Sequence, residues 1–201
     1  MKIYDISQEV FGCCVYPGDP VPKKESVLSI KNGDVCNLTS FSMCAHNGTH
    51  IGAPNRFIDD GKTVDKMDLS RLVGYAYVYE CNGILTSHDA KHILEKARND
   101  HNDSYKRILL KGDTEVSYEA AEVFANEGIF LLGNESQTVG PTDAPMAVHK
   151  LLLGKEIALL EGIRLGDVEE GVYFLCTAPI SLGGCDGAPV RAILVSESRV
   201  E

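Results

Sequence analysis

The stretch "CAHNGTHIGAPNRF", residues 44–57, sets two histidines four apart around a glycine, then adds a second glycine and a proline. In an extended chain, residues four apart lie roughly 13 Å from each other, at about 3.3 Å per residue. Two imidazoles on one zinc ion must each sit about 2 Å from it. His46 and His50 therefore share an ion only if the backbone folds back between them, and Gly48 stands where that bend is needed. Glycine tolerates the torsions of such a bend. Gly52 and Pro54 argue against a continuing helix, so the stretch reads as a turn or loop, not a metalloprotease-type helix. Spacing alone is a weak signal, because His88 and His92 repeat it. That second pair lies opposite the apolar face of a predicted helix and reads as solvated surface.

Outward from this loop the chain alternates strands and helices. "MKIYDIS" (1–7) and "VGYAYVYEC" (73–81) alternate in strand fashion. "RILLK" (107–111), "IFLLG" (129–133), "EIALLEGI" (156–163), "VYFLC" (172–176) and "RAILV" (191–195) are short apolar runs bounded by turn residues. Such continuous runs suit strands covered on both faces. One helix is predicted over 88–98, with Ser87 as N-cap and Ala90, Ile93, Leu94 and Ala97 on one face. A second covers 118–127, between Ser117 and Gly128, and a third covers 145–152, with Pro145 in its first turn. Strands separated by helices, after a strand-rich beginning, give a mixed α/β domain. The polar stretch at 92–107 reads as a helix end and surface loop, so residues 1–201 form a single domain.

Composition excludes several classes of function. A net charge of −10 without a Lys/Arg cluster argues against nucleic-acid partners. No apolar run approaches the roughly 20 residues that span a bilayer. The opening "MKIYDISQEV" has no basic region leading into an apolar segment, which places the protein in the cytoplasm as an expectation. Seven scattered cysteines without a C-x-x-C pair read as reduced, mostly buried thiols. "KGDTE" (111–115) lacks the spacing of a phosphate loop, and no G-x-S-x-G elbow supports a serine hydrolase.

Glu161 is harder to set aside. It shares strand parity with Ile157 and Leu159 and follows four apolar residues. A carboxylate on a buried face must be paired, ligated or protonated. Arg164 or a backbone amide would be a structural partner; a metal or a shuttled proton would be a functional one. His149 lies on the third helix and by itself reads as structural. "LLGNESQTVGP" (131–141) follows a strand, and its Asn134, Glu135 and Ser136 read as a pocket rim.

Together "YPGDP" (16–20), "HNGTHIGAP" (46–54), "VHKLLLGKEIALLEGIRL" (148–165) and the tail "GVYFLCTAPISLGGCDGAPVRAIL" (171–194) resemble a cyclase family. That family includes the bacterial kynurenine formamidases and isatin hydrolase. Its motif H-x-G-T-H-x-D-x-P-x-H-F maps onto His46, Gly48, Thr49, His50, Gly52, Pro54, Arg56 and Phe57. Two positions depart: Gly52 stands for the aspartate and Arg56 for the third histidine. The resemblance implies a swivelling β/β/α fold, assembled as a homodimer or larger homo-oligomer. It implies a zinc or manganese site in which His149 and Glu161 match the family's distal histidine and glutamate. In relatives an aspartate often stands where Asn134 does.

The departures remove a carboxylate and add a fixed positive charge, which opposes a second divalent ion. The resemblance then implies one ion held by His46, His50, His149 and Glu161. The expected activity is metal-dependent hydrolysis of a small amide or cyclic amide, similar to an arylformamidase. His149 and Glu161 would move protons, Arg56 would anchor a substrate carboxylate, and Tyr16 would line a neighbouring subunit's pocket. Two alternatives stand beside it: a small-molecule binding protein on a retired hydrolase scaffold, and a metal-free lyase or isomerase.

Overall fold

The apolar runs of the sequence pair with one another at the centre of a sheet. The computed structural model describes residues 1–141 and 145–196. Its strands are β1 (Lys2–Asp5), β2 (Lys23–Leu28), β3 (Leu38–Ser42), β4 (His50–Gly52), β5 (Val73–Glu80), β6 (Gly83–Leu85), β7 (Arg107–Lys111), β8 (Thr114–Val116), β9 (Leu131–Asn134), β10 (Ala158–Glu161), β11 (Gly171–Cys176), β12 (Gly187–Pro189) and β13 (Ile193–Ser196). Among the described residues, nine of them make one sheet in the order β1-β13-β11-β5-β7-β9-β10-β4-β12. The central β5, β7, β9 and β10 run parallel, and the strands to either side pair antiparallel. This is the mixed α/β, swivelling β/β/α arrangement expected.

Each central strand feeds two cores. On β7, Ile108 and Leu110 pack with Ile93, Phe124 and Leu152 of the helices, and Leu109 packs with Ile6, Leu72 and Leu175 behind the sheet. Burying each such side chain contributes about 1.5–3 kcal/mol. Continuous apolar runs are therefore what these strands require.

The helices that cover one face are α1 (Ser87–Asp100), α2 (Tyr118–Glu127) and α3 (Met146–Gly154). Thr86, not Ser87, caps α1, because it forms a reciprocal capping box with Asp89. Ser117 caps α2 and Gly128 closes it at φ 65°, as expected. Pro145 precedes α3, which runs two residues beyond its predicted end. His88 and His92 are exposed. All seven cysteines are free; five are half-buried and two exposed, so the expectation of mostly buried thiols is corrected.

The hairpin β2–β3 has no counterpart in the sequence reading. Its strands are polar and almost wholly exposed, so no buried face imposes an alternation. Mutual pairing of the two strands sets their register.

Candidate functional site

Gly48 does adopt a positive φ, 64°, and the backbone folds back across it. Asn47 fixes the turn: its amide donates to the Cys44 carbonyl at 3.1 Å, and its side-chain oxygen accepts from the Cys44 amide at 2.8 Å. The His46 and His50 rings meet edge to face with centroids 5.0 Å apart. His50 opens β4, directly opposite Glu161 at the end of the antiparallel β10. Strand parity turns Glu161 toward the helix-covered face, where α3 presents His149. The carboxylate thus lies at the carboxyl end of a parallel strand, where open α/β sheets place their sites.

Glu161 is fully buried and carries a complete set of partners. Its Oε1 accepts from the Val139 amide at 3.0 Å and meets His149 Nε2 at 2.9 Å. Its Oε2 meets His50 Nε2 at 3.1 Å and accepts from Arg56 at 3.4 Å. Burial alone would raise its pKa, but the hydrogen bonds and charges of His149 and His50 outweigh it and hold the carboxyl below the usual range. Each imidazole is braced from behind: Nδ1 of His50 donates to the Gly48 carbonyl at 3.0 Å, and Nδ1 of His149 to the Pro145 carbonyl at 2.9 Å.

Near the surface a second group adjoins the first. Arg56 donates to His46 Nδ1 at 2.7 Å, which leaves His46 Nε2 as the protonated nitrogen that donates to Asp186 at 2.8 Å. Burial, then the Arg56 charge and neighbouring His50, push the His46 pKa down to about 4 against the pull of Asp186. The ring is therefore neutral at neutral pH. Exposure rises outward, from 1% for the Glu161 side chain through 21% for Arg56 to 45% for Asp186.

Residues 4–141 match the family described as "Putative cyclase". The chain belongs to this cyclase family. It is 30% identical over 201 residues to a kynurenine formamidase of Erythrobacter litoralis, covering 96% of this chain and 93% of that one. Its fold is similar to a solved structure described as a potential metal-dependent hydrolase with cyclase activity (TM-score 0.81, 27% identity, 96% of each chain). An isatin hydrolase bound to the product analogue thioisatinate superposes with TM-score 0.83 at 17% identity, covering 98% and 93%, which bears on the fold alone.

The cyclase-family motif thus supplies His46, His50 and Arg56, and the distal segment supplies His149 and Glu161, to one cluster. Arg164 is not the partner of Glu161; it donates to the Glu135 and Ile163 carbonyls. Asn134 is not a pocket rim: it is fully buried beside Glu161 on β9, and its amide donates to the Thr138 carbonyl at 2.8 Å. Tyr16 borders a cleft of about 270 Å³ over residues 136–138, the segment that leads to the Val139 amide.

The expected ligand set is brought together as a hydrogen-bonded cluster, not as a coordination sphere. A nitrogen ligand needs a lone pair. That of His46 is engaged by Arg56, while the Nε2 atoms of His50 and His149 meet different oxygens of Glu161. Among the described residues, no three His, Cys, Asp or Glu side chains are grouped to hold one ion. As arranged, these residues do not fit a divalent metal.

Two members of the site escaped the sequence reading. Asp186 and Gly187 sit in "GGCDGAP", where no periodicity or paired spacing marks them. A Cβ on Gly187 would stand 2.6 Å from His46 Cε1 and 2.7 Å from the Ile51 carbonyl oxygen. Gly187→Ala is expected to displace the His46 ring and to destabilise the fold by about 1–3 kcal/mol, the usual cost of overpacking. Urea unfolding of the variant checks this.

Proposed function

We propose that the chain hydrolyses a small amide or cyclic amide in the manner of an arylformamidase. The observation that carries this reading is the Asp186–His46–Arg56 array, backed by the buried His50–Glu161–His149 cluster. Membership of a family that includes a kynurenine formamidase 30% identical to this chain supports the reaction class.

Amide hydrolysis needs a proton acceptor for water, a donor group for the oxyanion and a proton for the departing nitrogen. Asp186 holds the His46 ring through Nε2–H, so Nδ1 is the nitrogen available to take a proton. Arg56 covers that nitrogen in the free protein. When a substrate oxygen engages the guanidinium, Nδ1 is released to water. Water attacks the carbonyl carbon as its proton passes to His46, and the resulting oxyanion faces Arg56. Collapse breaks the C–N bond, and His46 returns the proton to the leaving amine. A substrate carboxylate would be an alternative anchor for Arg56. In this reading Glu161 and His149 do not touch substrate; they position His50 and Arg56.

An assay of an N-formyl arylamine and a cyclic amide tests the proposal, with release of the free amine or ring-opened acid as the readout. Wild-type turnover that disappears in His46→Ala is the expected outcome. A second reading, ligand binding without turnover, is favoured by the occupation of both His46 nitrogens. Calorimetric binding of these compounds with no product formed would select it over hydrolysis. We also propose a homo-oligomer: the hairpin β2–β3 exposes Val27, Leu38 and Phe41, side chains suited to a second copy. A monomeric mass by light scattering would refute this.

A further inference from the structure

We propose that Arg56 is the resident cation of this site, its guanidinium standing where a divalent ion would otherwise balance Glu161 and Asp186. The folded protein then neither needs nor takes up zinc or manganese. This goes beyond the hydrolase reading and does not rest on it.

Three observations carry the inference. The first is contact: one Arg56 nitrogen lies 2.7 Å from His46 Nδ1 and 3.4 Å from Glu161 Oε2, so it joins the two halves of the cluster. The second is occupancy. His50 and His149 both use Nδ1–H on backbone carbonyls, and both direct Nε2 at the same carboxylate. Neither ring therefore offers a free nitrogen to an ion. Arg56 adds a permanent positive charge beside both Glu161 and His46. An added divalent ion would have to displace protons beside a fixed guanidinium in a buried setting, where like charges repel strongly.

The third observation is construction. Arg56 ends a short 3-10 helix, Pro54–Arg56, whose turn is closed by the Phe57 amide on the Pro54 carbonyl at 3.2 Å and tied to the following loop by the Asn55 amide on the Lys62 carbonyl at 3.1 Å. Its guanidinium lies 5.6 Å from the Phe57 ring centroid, near the ring's electron-rich face. At Gly52, by contrast, a Cβ would meet only Leu159 atoms at 3.9 Å, so packing does not demand a glycine there. The site omits an acidic side chain that it has room to begin, and invests a braced arginine nearby.

Elemental analysis of wild-type protein, expressed with added zinc and manganese, is expected to find neither in stoichiometric amount. Its melting midpoint is expected not to move with EDTA or with either ion. A stoichiometric ion, or an ion-dependent midpoint shift that Glu161→Gln abolishes, overturns the proposal. Arg56→Ala frees His46 Nδ1 and is expected to bind cobalt(II) at least about tenfold more tightly than wild type, read from its visible absorption. Arg56→Lys keeps the charge and is expected to remain ion-free. Equal cobalt affinity in wild type and Arg56→Ala overturns the assignment. An Arg56→Ala chain that fails to fold beside a folded Arg56→Lys supports it, because the cation is then indispensable. Absence of formyl-amide turnover would sink the hydrolase reading and leave this inference standing; a bound ion would do the reverse.

Discussion

Glu161→Ala is expected to destabilise the fold by about 3–5 kcal/mol, the range for removing one partner of a buried ionic cluster. The loss has several sources. The Val139 amide, His50 Nε2, His149 Nε2 and Arg56 all lose a partner at once. Each buried donor left without a partner costs about 1–3 kcal/mol, more if charged, and partial rearrangement keeps the total below their sum. Urea unfolding at neutral pH, with the slope unchanged, measures the effect. A loss under about 1 kcal/mol, the range of an exposed pair, would mean that the carboxylate is not the hub of the cluster. The same group makes the fold sensitive to acid. Its folded pKa lies below the ordinary glutamate value of about 4.5, so its stabilisation is complete above that value and fades as pH falls toward the folded pKa. In Glu161→Gln this part of the acid sensitivity is expected to disappear.

The second large effect falls on activity. His46→Ala is expected to reduce kcat/KM by about 10²–10⁴, the usual contribution of a positioned acid–base group. Its cost in stability is expected to be smaller than that of Glu161→Ala, because Asp186 is half-exposed and solvent can take over its hydrogen bond. Asp186→Asn separates the roles further. It leaves a group of the same shape beside Nε2 but removes the charge that orients the ring and stabilises its protonated form. Its expected signature is a fall in kcat with KM little changed. A rise in KM alone would make Asp186 a substrate contact instead.

Much of this was legible before any coordinates. The apolar runs that form β7, β9 and β10 were readable because both their faces are buried, so hydrophobicity tracks the strand without interruption. The ends of α2 were readable because Ser117 and Gly128 act through local torsions and hydrogen bonds. The parity of Glu161 gave its burial correctly. The hairpin β2–β3 was not readable, because its residues are exposed and only pairing makes them strands. The cap of α1 was not readable either, because the adjacent hydroxyl residues Thr86 and Ser87 compete for it and the reciprocal bond with Asp89 decides between them.

For the site, the sequence by itself determined which groups are present: the paired histidines around Gly48, the arginine in place of a histidine, the glycine in place of an acid, and a glutamate bound for the core. These follow from residue identity, torsional freedom and strand parity, all local properties. Only the tertiary structure decided what the groups do to one another. Asp186, 140 residues from His46, claims one nitrogen of that ring, and Arg56 claims the other. Hydrogen-bond commitment depends on distances between elements remote in sequence, and so a set of metal-ligand residue types became a cluster closed by protons and a guanidinium.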